Sequence, residues 1–218
     1  MVITIDGYAG SGKTSAALRL AEHLGYELLP TGQMYRAAGA WLVDAGFDID
    51  RNPRDAVGIQ AAVAGFHFEM PPGHVLLNGV DFTDKSHCEA AGDWASKVGT
   101  FAEVREKLKA EQRRLAEGRR IVCEGRDQGT SVFPDAPYKF FFWASPEVRA
   151  IRRVEQLKSQ GKTAEYETVL RQIIERDHRD ENRSLDPLKA ADDAVRIDTT
   201  HESAEEVLDR MLARVQSP

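Results

Sequence analysis

The chain contains 218 residues, of which 42% are apolar and 29% are charged, and its formal net charge is −6. This composition is that of a globular protein, and the length suits a single domain over 1–218. The negative charge argues against a protein that grips nucleic acid polymers by neutralising phosphates. No apolar run approaches the roughly eighteen residues that a membrane span requires. The two cysteines cannot build a disulfide framework, so we expect a cytoplasmic protein.

Short apolar segments alternate with helical patterns along most of the chain. We predict strands at 2–5, 26–29, 121–123, 138–143 and 194–197. A first helix follows the glycine-rich turn and stops at Gly25, and further helices are predicted at 34–45, 54–66, 87–98, 101–117, 146–160 and 163–180, with a last one opened by the capping box Ser203–Glu206. Alternation of this kind predicts a mostly parallel sheet covered on both faces by helices.

The sequence pattern changes between the second predicted strand, at 26–29, and the third, at 121–123. Brief strand-like pieces lie at 66–70, 75–77 and 80–83, and Asn78-Gly79 between the last two is a strong hairpin signal. We therefore predict a small antiparallel insertion at 66–84, within an α/β sandwich that also carries a charged, lid-like segment.

Two residue types are predicted to have structural roles only. The six histidines show no metal-ligand spacing, so a protein zinc site is not expected. The three tryptophans, Trp41, Trp94 and Trp143, fall within helix or strand patterns, and we predict that they belong to the core.

A phosphate-binding motif follows the first strand and opens the first helix. The nine residues of this loop are Gly7, Tyr8, Ala9, Gly10, Ser11, Gly12, Lys13, Thr14 and Ser15. Glycines let successive backbone N–H groups converge on phosphate oxygens, and the helix start adds partial positive charge. Lys13 can reach the β- and γ-phosphates, and the Thr14 hydroxyl can bind Mg²⁺. The chain has no Asn-Lys-x-Asp motif, so a GTPase is not expected.

Charged residues farther along form two more candidate sites. Gly125-Arg126-Asp127 directly follows the strand at 121–123, at the edge of the sheet where ligands bind. Arg176, Arg179, Asp180 and Arg183 share one helical face by their spacing. Three arginines on one face fit either a lid that stabilises the charge of a phosphoryl transfer or a solvated helix whose arginines pair with its own carboxylates. The charge pattern alone leaves both interpretations open.

Together these stretches resemble the cytidylate kinase family, whose members phosphorylate CMP and dCMP. The matching segments include Thr31-Gly32-Gln33-Met34-Tyr35-Arg36, the block from Gly125 to Ala136, and Arg176 to Arg183. The resemblance implies a P-loop nucleoside monophosphate kinase fold: a three-layer sandwich with a five-stranded parallel sheet, a lid at about 155–190 and a β insertion in the nucleotide-binding region at about 66–100.

The resemblance also implies roles for individual residues. It assigns ATP binding to 7–15; cytosine contacts to Thr31, Arg105 and Asp127; monophosphate contacts to Arg36 and Arg126; ribose contacts to Arg176 and Asp180; and a phosphate contact from the lid to Arg183. Lys13, Arg126, Arg176 and Arg183 would be the catalytic residues, with ATP and Mg²⁺ as cofactors and Thr14 as the Mg²⁺ contact. The chain departs from the usual family pattern at Tyr8, Pro30, Glu124 and Gln128.

Two rival functions remain at this stage. Another small P-loop kinase would use AMP, UMP or a hydroxylated metabolite as acceptor. A catalytically silent ATP-binding regulator would use the inserted sheet to hold a partner. We expect a monomer, because the chain has no long heptad run.

Overall fold

The computed structural model describes residues 1–50 and 56–216. The chain divides into two compact units. Unit 1 consists of Met1–Leu28 and Arg119–Pro218, and unit 2 consists of Leu29–Gly118. None of the described helices is both long enough and apolar enough to cross a membrane.

The described residues form strands and helices in the order that the sequence predicts. The strands are β1 (Val2–Gly7), β2 (Glu27–Pro30), β3 (Phe68–Glu69), β4 (Leu76–Leu77), β5 (Val80–Asp81), β6 (Ile121–Gly125), β7 (Tyr138–Trp143) and β8 (Val195–Asp198). The helices are α1 (Lys13–Leu24), α2 (Thr31–Asp44), α3 (Ala56–Ala64), α4 (Thr83–His87), α5 (Ala91–Val98), α6 (Ala102–Ala116), α7 (Pro146–Ser159), α8 (Tyr166–Asn182) and α9 (Ala204–Gln216), and a π-helix covers Gln128–Val132. Residues 54 and 55 of the predicted helix at 54–66 lie outside the described residues.

The larger sheet has the strand order β2-β6-β1-β7-β8, which confirms the predicted five-stranded parallel architecture. The boundary between the two units falls inside β2. Strand β1 lies between β6 and β7, with Ile5 opposite both Glu124 and Phe140. Because parallel strands end at the same edge, this register places the loop after β1 beside the loop after β6.

Strand β1 divides its side chains between two buried faces. Ile3 and Ile5 join the apolar core that also contains Leu20 of α1 and Met211 of α9. The alternate residues Thr4 and Asp6 are also buried, and they are polar. A strand presents successive side chains to opposite faces, so β1 supplies the core on one side and polar groups on the other.

Unit 2 contains the predicted antiparallel insertion, as a sheet with the order β3-β4-β5. Leu77 pairs with Val80 across the turn, and Asn78 and Gly79 have φ values of 53° and 76°. Positive φ at both central residues is the geometry of a type I′ hairpin turn, which explains the Asn-Gly pair.

The structure corrects two sequence predictions. The helix predicted at 87–98 begins only at Ala91, as α5, because His87 ends α4 and Cys88 after it is extended. Trp143 does not belong to the core, since it is the last residue of β7 and is 42% exposed. Trp41, by contrast, packs edge-on against Phe66, with ring centroids 5.1 Å apart.

Candidate functional site

The loop between β1 and α1 is shaped by close backbone packing. A Cβ atom on Gly7 would lie 2.1 Å from the carbonyl oxygen of Phe142, so only glycine allows β1 to end against β7 there. Gly12 precedes α1 with φ 86° and ψ 4°, a left-handed conformation that glycine adopts without strain. The loop therefore leads directly into the N-terminus of α1, and the first N–H groups of a helix can bind an anion.

Lys13 is the first residue of α1, and only 4% of it is exposed. Its Nζ donates hydrogen bonds to the Tyr8 carbonyl and, at 3.5 Å, to the Ser11 hydroxyl. Burial lowers the pKa of Lys13 well below its ordinary value, and the neighbouring Arg126 guanidinium lowers it further. Burial and the neighbouring arginines thus disfavour the charged form of Lys13, and a bound anion would favour it.

Asp6, which precedes the loop, holds the adjacent segment in place. Its Oδ1 accepts a hydrogen bond from the backbone N–H of Gln128 at 2.8 Å, and its Oδ2 accepts one from Gly129 at 2.7 Å. Burial raises the pKa of Asp6 to about 7, although both of these N–H groups oppose the shift. The sequence analysis did not single out Asp6; the available signal was a carboxylate near the end of a mainly apolar strand.

Arg126 and Asp180 form an ion pair, with Nε and Oδ2 2.9 Å apart. Burial disfavours the charge on Arg126, but Asp180 outweighs this effect and raises the pKa of the guanidinium. Burial likewise favours neutral Asp180, yet Arg126 and Arg176 outweigh it and lower the pKa of that carboxyl. Both partners are therefore charged, and the predicted site residues Arg126, Arg176 and Asp180 lie together in unit 1.

Asp127 lies in the same part of unit 1 and is only 2% exposed. Its Oδ1 is 3.9 Å from Nη2 of Arg183, and Nε of Arg183 donates to the Asp186 carbonyl at 2.7 Å. The segment after α8 is thereby connected with the loop after β6. The structure thus brings Asp127 and Arg183 together, two residues that the sequence separates by more than fifty positions.

The carboxylates at the end of α8 have partners outside that helix. Asp177 accepts from Arg149, Asp180 from Arg126, and Glu181 from the Tyr8 hydroxyl. The helix is therefore bonded to the rest of unit 1 through these three carboxylates, and it is more than a solvated surface helix. Arg149 and Asp177 were not predicted as a pair, because local spacing carries no information about a partner 28 residues away.

Three predicted site residues lie in unit 2. Thr31 is the first residue of α2 and is 2% exposed. Arg36 donates from Nη1 to the Ser86 carbonyl at 3.3 Å. Arg105 is also 2% exposed; it donates to the Gly99 carbonyl at 3.2 Å, and its guanidinium lies 5.8 Å from the centroid of the Tyr35 ring.

Comparisons with known proteins agree on the family. The family model described as cytidylate kinase matches residues 3–217. A protein named cytidylate kinase from Fervidobacterium nodosum is 44% identical over 210 residues, which cover 96% of this chain and 94% of that protein. Another of the same name, from Maridesulfovibrio salexigens, is 40% identical over 214 residues, which cover 97% of this chain and 94% of that protein.

Solved structures share the fold at low sequence identity. A shikimate kinase from Bacteroides thetaiotaomicron has a TM-score of 0.51 at 13% identity, and the match covers 100% of this chain and 99% of that one. An uncharacterized protein from Eubacterium ventriosum has a TM-score of 0.52 at 14% identity, with the same coverage. These structures show the fold alone, whereas the family model and the relatives above show that the chain belongs to the cytidylate kinase family.

Proposed function

We propose that this protein transfers the γ-phosphoryl group of ATP to CMP or dCMP, giving CDP or dCDP. The observation that carries the proposal is the buried Lys13 at the start of α1, near Arg126 and Arg176, where the loops after β1 and β6 lie side by side in a chain of this family. A buried lysine beside two arginines suits a highly charged phosphate ligand. The enzyme is an ATP-dependent phosphotransferase, and its substrates are nucleotides.

The donor side of the proposed reaction uses residues 7–15. Their backbone N–H groups and Lys13 would hold the phosphates of ATP. The residues present also fit Mg²⁺, since the Thr14 hydroxyl is exposed at the start of α1 and the Glu124 carboxylate lies at the end of β6. Both are the hard oxygen donors that Mg²⁺ prefers, and the ion would neutralise charge on the phosphates when bound.

The chemical step requires positioning and charge stabilisation. Phosphoryl transfer passes through a loose transition state with negative charge on the equatorial oxygens, so neither a covalent intermediate nor a strong general base is needed. Lys13, Arg126, Arg176 and Arg183 would stabilise that charge. The ion pair with Asp180 keeps Arg126 both charged and oriented, which supports its role.

Recognition of the acceptor base is assigned to Asp127. Its carboxylate can accept from the N4 amino group of cytosine, whereas uracil presents an oxygen at that position and would leave buried polar groups unpaired. Nη2 of Arg183 lies 3.9 Å from Oδ1 of this carboxylate. In unit 2, we assign the contact with the phosphate of CMP to Arg36 and the contacts with its base to Thr31 and Arg105.

The remaining assignments complete the proposal. The protein would act as a monomer in the cytoplasm, as one domain with an insertion at about 66–100 and a lid at about 155–190. Arg176, Asp180 and Arg183 all belong to that lid. We propose no nucleic acid polymer as a partner, in keeping with the net charge of −6.

A variant of Lys13 tests the proposed chemistry. Lys13→Ala removes the charge closest to the phosphates, so we expect CMP-dependent ADP release to fall by about 10²- to 10³-fold while the protein stays folded. The matched control is Lys158→Ala, which changes an exposed lysine of α7 and should leave turnover unchanged. Near-normal turnover in folded Lys13→Ala would contradict the mechanism.

A further inference from the structure

The phenol of Tyr8 links the nucleotide-binding loop to the far end of α8. Its hydroxyl donates a 2.6 Å hydrogen bond to Oε1 of Glu181, a residue 173 positions away. The ring packs edge-on against Phe141 of β7, with the centroids 6.0 Å apart. The bond therefore connects two parts of unit 1 that the proposed reaction needs at the same time, the donor loop and the arginine-bearing helix.

A second, buried connection runs beside the first. Arg149 of α7 is 1% exposed, and its guanidinium bonds Asp177 through Nη1 at 3.0 Å and Nη2 at 2.5 Å. The same guanidinium donates to the Ala9 carbonyl at 3.2 Å and lies 5.1 Å from the centroid of the Tyr8 ring. One cation thus contacts the loop backbone, the loop tyrosine and α8.

Because of the spacing of their partners on α8, these two connections restrict the rotation of the helix. Asp177 and Glu181 are four residues apart and lie on one stripe of the helix. Arg176 and Asp180 lie on the neighbouring stripe, about 100° around the axis, and Arg183 directly follows the helix. Because Asp177 and Glu181 are held at two successive turns, the rotation of α8 is restricted, and with it the direction in which the neighbouring stripe points.

The two connections differ in their access to solvent. The Arg149–Asp177 pair is buried, whereas the Tyr8–Glu181 bond lies at the surface, where water can compete with it. The outer bond can therefore open while the inner pair persists. Burial and the bond to Glu181 raise the pKa of Tyr8 to about 12, so the phenol keeps its proton, and its ability to donate, throughout the neutral range.

We propose that Tyr8 is a positioning residue for α8: through its bond to Glu181, the loop that holds the phosphate donor also sets the orientation of Arg176, Asp180 and Arg183. The inference rests on the proposed function. Tyr8, a residue of the phosphate-binding loop, would then orient the proposed lid in addition to its proposed part in binding the phosphate donor. Tyr8 occupies a position where the family pattern has proline, which could not form this bond.

A double-mutant cycle tests the inference. Tyr8→Phe keeps the ring contacts and removes the hydroxyl, and Glu181→Ala removes the acceptor. We expect each variant to lower kcat about three- to tenfold while the KM for ATP changes less than about twofold. The double variant should lose no more than either single variant, because both act through one bond. Glu181→Gln, whose amide oxygen can still accept from the phenol, should retain most of the wild-type kcat.

The control and a second measurement keep the outcomes distinct. Tyr26→Phe removes a hydroxyl that, among the described residues, donates only to the sulfur of Met1, at 3.4 Å, and it should leave kcat unchanged. Hydrogen exchange of the amides at 176–183 should speed up in Tyr8→Phe and Glu181→Ala, whether or not CMP is the acceptor. Unchanged kcat and exchange in both variants, or losses that multiply in the double variant, would overturn the inference. A wild-type protein inactive with CMP would instead refute the proposed function, and the exchange data would still test Tyr8.

Discussion

A substitution at Arg149 tests most clearly how unit 1 positions the arginines that we propose to be catalytic. The Arg149 guanidinium makes two bonds to Asp177 and one each to the carbonyls of Ala144 and Ala9. The change Arg149→Met keeps much of the apolar volume but leaves the Asp177 carboxylate without its cation in a nearly buried position. Breaking one side of a buried ion pair typically costs about 3–5 kcal/mol, and we expect a loss of that size in the free energy of unfolding.

The pH dependence of this loss follows from the Asp177 carboxyl. Burial raises its pKa and Arg149 opposes the rise, so removing Arg149 raises the pKa of Asp177 further. The folded variant then binds a proton more tightly than the folded wild type. As the pH falls from about 7 towards about 4, the variant therefore recovers part of its lost stability relative to the wild type.

Urea unfolding at several pH values measures both effects. Arg153→Met is the matched control, because Arg153 lies one turn along α7, is exposed and bonds only Gln156 in the described residues. It should change the free energy of unfolding by less than about 0.5 kcal/mol. Adding Asp177→Asn to Arg149→Met should restore at least about 1 kcal/mol. A loss below about 1 kcal/mol in Arg149→Met, or no recovery in the double variant, would refute the reasoning.

Two further predictions concern unit 2 and donor binding. A Cβ on Gly39 of α2 would lie 2.7 Å from the Cβ of Trp94 in α5, so Gly39→Ala should lower the free energy of unfolding by about 1–3 kcal/mol. Gly32 lies in the same helix with open space around it, so Gly32→Ala should not have this effect. Equal stability of the two variants in urea would contradict this packing. Because burial and Arg126 depress the pKa of Lys13, the affinity for ATP should begin to fall at a lower pH than an ordinary lysine would cause. Lys13→Arg stays charged and should not show this fall. Parallel pH profiles of the two proteins in titration calorimetry would contradict the role of Lys13.

The sequence predicts the parts of the fold that depend on neighbouring residues. Asn78-Gly79 indicates a hairpin because only a few residue types adopt positive φ cheaply, and the type I′ turn is present. The capping box is present too, since the Glu206 carboxylate accepts from the Ser203 N–H and the Ser203 hydroxyl accepts from the Glu206 N–H. The glycines and Lys13 that identify the phosphate loop lie within eight consecutive residues. These signals are local, so one sequence suffices to find them.

What the sequence could not predict depends on partners far along the chain. The π-helix at Gln128–Val132 begins where the Asp6 carboxylate accepts two backbone N–H bonds, from more than a hundred residues away. The Tyr8–Glu181 bond is equally long-range, and loop composition alone indicates only a departure from proline. The arginines of α8 were left between two interpretations because their spacing does not show which carboxylate each would meet.

The most direct test of the central claim is a comparison of acceptors at one concentration of Mg-ATP. Coupled ADP release would be measured with CMP, dCMP, UMP and AMP. We expect strong turnover with CMP and dCMP and little with AMP, because we propose that Asp127 accepts from the cytosine amino group. Preference for UMP or AMP would contradict the assignment of Asp127. No turnover with any acceptor, in a protein that binds ATP, would contradict the proposed function and favour a regulator.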